Sequence, residues 1–152
     1  MRRILILLLL FPVSVMAQKV KTDMFTIELP DHLQIQTNKV NRVLAFGKSN
    51  SPFINIEFGQ GVKEQYSQIV DRVNETIKPM GSQLSAVKCG ENCEAMYAEA
   101  QTEIENTVAY SYFYLVKSKH HSFIISVASK EPILDGELQA KIIGNKILQS
   151  GI

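Results

Sequence analysis

Apolar and polar residues alternate along several short segments of the chain, and a period of two is typical of half-buried β-strands. The clearest segments are 25–29 and 54–58, in which every second residue is Phe, Ile or Leu. Further strands are predicted at 33–36, 43–46, 84–88, 94–103, 107–117 and 123–127. Short turns join neighbouring segments, and such connections imply that the strands pair in antiparallel fashion.

Two other segments place apolar residues three and four positions apart, which predicts amphipathic helices. The first helix is expected over 62–78 and ends at Pro79 and Gly81. The second is expected over 135–147, where an aspartate stands at the N-cap position and Gly144 is a weak point. Because helices of this kind bury their apolar stripe against a sheet, the order strands-helix-strands-helix predicts an α+β domain. Its antiparallel sheet is flanked by two main helices.

The first 17 residues have the three-part organisation of a secretory signal peptide. Two arginines precede an apolar run over 4–11, and small or apolar residues lead to a cleavage position between Ala17 and Gln18. The apolar segment is shorter than the roughly 20 residues that a membrane-spanning helix needs. We expect an exported, periplasmic protein, with an uncleaved membrane anchor or a buried core helix as the alternatives for this segment. The predicted organisation is a signal peptide (1–17), a loose N-terminal segment (18–23) and one domain (24–152).

The charge balance argues against a polyanionic partner. The chain has 16 Lys and Arg residues and 15 Asp and Glu residues. Removal of residues 1–17 takes away two arginines, so the mature chain has 14 basic and 15 acidic residues, a net charge of −1. No basic stripe is visible, and we therefore expect no nucleic-acid partner. No second apolar span follows, so the mature form is not expected to span a membrane.

The chain has two cysteines, Cys89 and Cys93, which enclose a Gly-Glu-Asn turn between two predicted strands. A thioredoxin-like motif has two residues between its cysteines and begins a helix, whereas here three residues intervene and both flanks are extended. A strand-turn-strand brings two cysteines close together, and an exported protein meets oxidising conditions. The sequence favours a structural disulfide. A redox-active pair, a metal site and free thiols are the alternatives.

No constellation of residues predicts catalysis, metal binding or a cofactor. The glycines of 59–61 precede a helix, but the third glycine of a phosphate-binding loop is missing. The three histidines are expected in turns and loops, without a motif that links them to the cysteines. These are His32, His120 and His121. Three glutamates alternate on one predicted strand and its turn, where an exposed face explains them better than a catalytic carboxylate pair. These are Glu99, Glu103 and Glu105.

Tyr110, Tyr112 and Tyr114 fall on one face of a predicted strand, with Phe113 and Leu115 on the other. Tyrosine favours positions that have an apolar side and a wet side, so this row is a candidate partner-binding surface. The alternative is a strand that helices or loops cover on both faces.

The segment MFTIELPDHLQIQ (24–36) resembles the opening of the PsbP-like and DcrB-like families, in which an F-x-aliphatic-x-aliphatic-P hairpin precedes a bulky residue. The blocks PFINIEF, YSYFYLVKSKHHSFIISVAS and AKIIGNKILQSGI then follow in the family order, so the likeness covers about 24–152. The resemblance implies an α/β/α sandwich and an accessory role in binding other proteins. The cysteine pair does not belong to the family pattern.

Three hypotheses of function follow. The first is a non-catalytic exported accessory or protein-interaction domain of the bacterial cell envelope, whose partner is an envelope protein. The second is a carrier of a small ligand or lipid, held between sheet and helix. A hydrolytic enzyme is the third and is least supported by the residues.

Overall fold

The computed structural model describes residues 17–22, 25–37, 42–48, 51–60, 63–119, 121–134, 140 and 143–145. The first five strands are β1 (Ala17–Lys21), β2 (Thr26–Pro30), β3 (Gln34–Thr37), β4 (Arg42–Phe46) and β5 (Phe53–Gln60). Helix α1 (Lys63–Ile77) and a short 3₁₀ helix (Lys78–Met80) follow. The remaining strands are β6 (Ser85–Val87), β7 (Glu94–Ile104), β8 (Thr107–Lys117) and β9 (His121–Ser129). Residues 140 and 143–145 are helical.

The described strands form two sheets in which every pair is antiparallel. Strands β1 and β2 make a two-stranded sheet, and the other seven are ordered β3-β4-β5-β9-β8-β7-β6. Strand β8 pairs with β7 along its whole length and with β9 from Tyr110 onward. The architecture is therefore mostly antiparallel β-sheet with short helices, as expected for an α+β domain.

The larger sheet is covered on one face by the β1–β2 sheet. Ile27 and Leu29 of β2 are buried in the same apolar cluster as Ile56, Tyr114 and Ile125 of the larger sheet. Phe25 contacts Phe58 edge to face, with ring centroids 4.4 Å apart. The helical residues Ala140 and Ile143 pack against the same cluster. Burial of this face supplies the larger of the two cores.

The opposite face of the sheet is covered by α1. Tyr66, Val73 and Ile77 lie on one side of the helix and are buried against Leu115 and Ile124 of the sheet. The helix was predicted at 62–78 and is observed at Lys63–Ile77, so this prediction is confirmed. Gly81 ends the following 3₁₀ helix with φ of 73°, a left-handed conformation that glycine adopts without steric cost.

The prediction of a loose segment over 18–23 is wrong for residues 18–21, because residues 17–21 form strand β1. Val20 is buried, and Gln18 donates through Nε2 to the carbonyl oxygens of Pro30 (3.0 Å) and Leu33. Pairing with β2 satisfies the backbone of a segment whose composition is mainly polar. The predicted signal peptide, apart from its last residue, lies outside the described residues.

The second predicted helix, 135–147, also falls largely outside the described residues, so the sandwich with two flanking helices stays a prediction. Gly144 was expected to weaken this helix, but the structure shows that a glycine is needed at this position. A Cβ atom at Gly144 would lie 2.6 Å from Cε1 and 3.0 Å from Cδ1 of the buried Tyr114 ring. Glycine at this position lets the helical segment approach the sheet closely.

We expect Gly144→Ala to lower the free energy of unfolding by up to about 2 kcal/mol. The clash with Tyr114 costs about 1–3 kcal/mol and exceeds the roughly 1 kcal/mol that alanine gains in a helix. Urea denaturation measures the difference. Gly59→Ala is the matched control, because the nearest atom to its Cβ is Ser122 Oγ at 3.7 Å. A Gly144→Ala protein as stable as the control would contradict the close approach.

Candidate binding surface

The three tyrosines of β8 share one face of the sheet, but that face is mostly covered. Tyr112 and Tyr114 are only 5% and 0% exposed, and the Tyr112 hydroxyl accepts a hydrogen bond from the backbone N–H of Ile133 at 2.9 Å. The prediction of a partner-binding surface is wrong for these two residues, because the segment after β9 and the β1–β2 sheet cover them. Tyr110 alone is partly exposed.

The exposed large apolar side chains of the sheet lie on the hairpin that joins β7 to β8. Ile104 is 58% exposed and Val108 is 39% exposed. Strand β6 pairs only with residues 95–97 of β7, and β9 pairs with β8 only from Tyr110 onward. Residues 101–109 therefore extend beyond the neighbouring strands as a two-stranded ribbon, which we call the β7–β8 arm.

The tip of the arm is a two-residue turn. Glu105 and Asn106 have φ of 49° and 63° between the paired residues Ile104 and Thr107. Positive φ at both central residues is the geometry of a type I′ turn, which matches the twist of antiparallel strands. The arm is thus a regular hairpin, and its exposure is not a consequence of irregular backbone.

The outer edge of β7 is the side that faces away from β8. The carbonyl oxygens of Tyr97 and Glu99 point to this side, where they accept hydrogen bonds from Ser85 Oγ and Ser82 Oγ. Because backbone groups alternate along a strand, the N–H and C=O groups of Gln101 and Glu103 point the same way. Among the described residues, none bonds to these groups. This part of the edge is unpaired.

A groove of about 530 Å³ adjoins that edge. Its walls are the turn at Met80–Ser82, residues 99–101 of β7, the tyrosines Tyr110 and Tyr112, and residues 132–133. Of the described residues in this lining, Glu99 is the one that carries a charge. Its Oε2 atom lies 3.4 Å from the Tyr97 hydroxyl, which donates to it. Glu99, Glu103 and Glu105 are all exposed, as expected from their alternation.

The structure joins Cys89 and Cys93 in a disulfide, with Cα atoms 6.1 Å apart. The bond closes the loop between β6 and β7, as the sequence favours. Both cysteines line a second cavity, of about 520 Å³, together with Tyr66. Burial, helped by the nearby Glu94 and Tyr114, raises the pKa of Tyr66 to about 12. Tyr66 is therefore a neutral donor at ordinary pH, and its hydroxyl lies 3.4 Å from the Leu115 carbonyl oxygen.

We expect the double variant C89S/C93S, which cannot form the disulfide, to keep its sheet and to lose a small amount of stability. A loop this short removes little entropy from the unfolded chain, so its loss should lower the free energy of unfolding by about 2 kcal/mol or less. Urea denaturation of the variant and the oxidised protein gives the value, and circular dichroism tests whether the sheet persists. A variant that does not fold would show that the bond holds more than one loop together.

A third cavity, of about 330 Å³, is the most apolar of the three. It lies between β2, the first residues of β5 and the last residues of β9, with Leu33, Ile54 and Val127 in its wall. Glu28 and His32 belong to the lining and are exposed. A cavity of this size is at the lower end of the range for small-ligand sites.

The two histidines within the described residues lie on different segments of the fold. His32 lies in the exposed turn between β2 and β3, His121 begins β9, and His120 lies outside the described residues. Within the described ranges, no three His, Cys, Asp or Glu side chains are close enough to ligate one metal ion. Over the same ranges, no helix has the length and hydropathy to cross a membrane.

No protein-family model matches the chain, and no curated protein sequence does. The fold is similar to a crystal structure from Bacteroides thetaiotaomicron VPI-5482, with a TM-score of 0.55 and 13% identity over 84% of this chain. The chain spans only 44% of that longer protein. LpqN of Mycobacterium tuberculosis, involved in cell envelope biogenesis, has a TM-score of 0.46 and 13% identity over 78% of this chain and 76% of its own. The Bacteroides match is a likeness of fold alone, and membership of the PsbP-like or DcrB-like families stays a prediction.

Proposed function

We propose that this chain is an exported accessory domain of the bacterial cell envelope, which acts by binding another envelope protein and not by catalysis. The observation that carries the proposal is the β7–β8 arm. It presents Ile104 and Val108 to solvent, beyond the strands that pair with the rest of β7 and β8. The two side chains lie on opposite faces of the arm, because Ile104 is opposite Thr107 and Val108 is opposite Glu103. A projecting strand edge with exposed apolar side chains is a template on which another chain can pair.

Export is supported by two independent features. The first 17 residues have the organisation of a signal peptide, and Cys89 and Cys93 are joined in a disulfide. Disulfides form and persist in oxidising compartments and are rare in the cytosol. An accessory protein of the periplasm would need such a signal peptide for export and would retain such a disulfide.

The double variant I104K/V108K tests the arm. A photo-crosslinking residue at position 105, at the arm's tip, should join the protein to one reproducible envelope protein in living cells. We expect the double variant to weaken this association at least about tenfold, because apolar residues at the centre of an interface each contribute more than 1 kcal/mol in favourable cases. Mass spectrometry identifies the crosslinked protein, and purified components give the affinity.

Leu134→Lys is the matched control, because Leu134 is 86% exposed and lies on a different segment. The control should keep the crosslink and the affinity. Equal loss in both variants, or no loss in either, would contradict a role for the arm in binding.

A second candidate function is carriage of a small apolar ligand, and the 330 Å³ cavity is the observation that favours it. The fluorescent probe 1-N-phenylnaphthylamine should brighten on binding there and be displaced by a fatty acid. His32→Trp should block the cavity from its exposed side, whereas Asp31→Trp changes the same turn outside the lining. A probe signal that is absent, or is unaffected by His32→Trp, would remove this candidate.

A further inference from the structure

We propose that the open part of the outer edge of β7, at Gln101 and Glu103, binds an extended peptide segment in which basic and apolar side chains alternate. The segment adds to the sheet as one more strand. This inference rests on the proposed function and names the chemistry of the partner at that surface.

The backbone of β7 supplies the first part of the argument. Gln101 and Glu103 direct their N–H and C=O groups away from β8, and none of the described residues bonds to them. Strand β6 occupies the same side of β7 beside 95–97, and Ser82 bonds to the carbonyl oxygen of Glu99, so the open edge begins at Gln101. A peptide strand beside residues 101–103 would satisfy these groups, as in other cases of strand addition.

The charge of β7 determines which peptide side chains are favoured on one face of the added strand. Residues opposite each other in a ladder share a face, so alternate peptide side chains would lie beside Glu99, Gln101 and Glu103. Two of these are acidic and exposed, and Glu105 follows at the tip. Among the described residues that line the groove beside them, none is basic. Lysine or arginine is therefore the complementary partner residue at those positions.

The remaining peptide side chains would point to the opposite face. There β7 presents Ala100, Thr102 and Ile104, and Met80 lies against Thr102, whose Oγ1 is 3.0 Å from the Met80 Sδ atom. Ile104 and Met80 are both exposed large apolar side chains. Apolar peptide side chains would pack on this strip, with the flexible Met80 adjusting to them.

A second copy of this chain is a poorer occupant of the edge. Pairing of two β7 edges would set Glu99 and Glu103 of one copy beside the same residues of the other, and like charges directly opposite each other destabilise a sheet. The observations thus favour a basic, alternating segment of a different protein over self-association.

The test uses two fluorescein-labelled peptides, Ac-VKVKVKV-NH2 and Ac-VEVEVEV-NH2, and the purified protein. Fluorescence anisotropy should show binding of the lysine peptide at least about tenfold tighter than that of the glutamate peptide at low salt. The double variant E99K/E103K should reverse this preference. A lysine peptide with N-methyl groups on alternate amides, which cannot donate to β7 in one register, should lose affinity.

Gln101→Pro tests the edge itself. The N–H group of Gln101 points away from β8, so proline should leave the β7–β8 pairing intact while it removes an outward donor. We expect at least about a tenfold loss of lysine-peptide affinity, whereas Gln101→Ala should stay within about twofold of the parent. Circular dichroism checks that both variants fold, and the N-methylated peptide gives the answer if Gln101→Pro does not.

Equal affinity for the two peptides, or insensitivity to both Gln101→Pro and N-methylation, would overturn the inference. The proposed function fails separately. An envelope partner that depends on Ile104 and Val108 but not on Gln101 would leave the domain a binding protein and refute strand addition. Absence of any partner that responds to the arm would refute the function, whether or not the lysine peptide binds.

Discussion

The constraint on which this fold depends is that β8 and β9 must be covered on both faces. Tyr114 and Leu115 are consecutive, point to opposite faces and are both completely buried. Their neighbours across the ladder, Ile125 and Ile124, are buried on the same two faces. One layer is not enough for such a strand pair, so the β1–β2 sheet covers one face and α1 covers the other. Each removes apolar area from water, which is the main favourable term in folding.

The position of these two covering layers determines which strands are buried and which are exposed. The cover is centred on the middle strands, and the sheet becomes thin toward β3 and β6, which have only four and three residues. Short edge strands limit unwanted pairing. Strand β7 is the exception, because its 11 residues extend well past the end of β6. The unpaired backbone and the exposed apolar side chains both occur where β7 extends past β6. The central strands, in contrast, contribute to stability.

Local periodicity in the sequence was enough to predict most of the strands and α1, because alternation and three-four spacing report how each segment meets its own surroundings. The same signal misled at the tyrosines. It places Tyr110, Tyr112 and Tyr114 on one face correctly, but tyrosine suits both a wet surface and a covered one, and the cover comes from distant residues. Strand β1 was missed for a related reason, since its pairing with β2 is not visible in its polar composition. The unpaired edge of β7 was also beyond reach, because it depends on where a neighbouring strand stops.

The acidic residues on β7 then take on a double role. A long edge strand with Ile104 near its end is the kind of template on which identical chains associate, and charged side chains on such an edge oppose that association. Glu99 and Glu103 flank Gln101 at the place where, among the described residues, the outward backbone groups of β7 become unpaired. The repulsion that keeps two copies apart is also an attraction for a strand of opposite charge. Protection against self-association and selection of a partner are thus two consequences of one charge pattern, and an exposed Ile104 is tolerable because that pattern accompanies it.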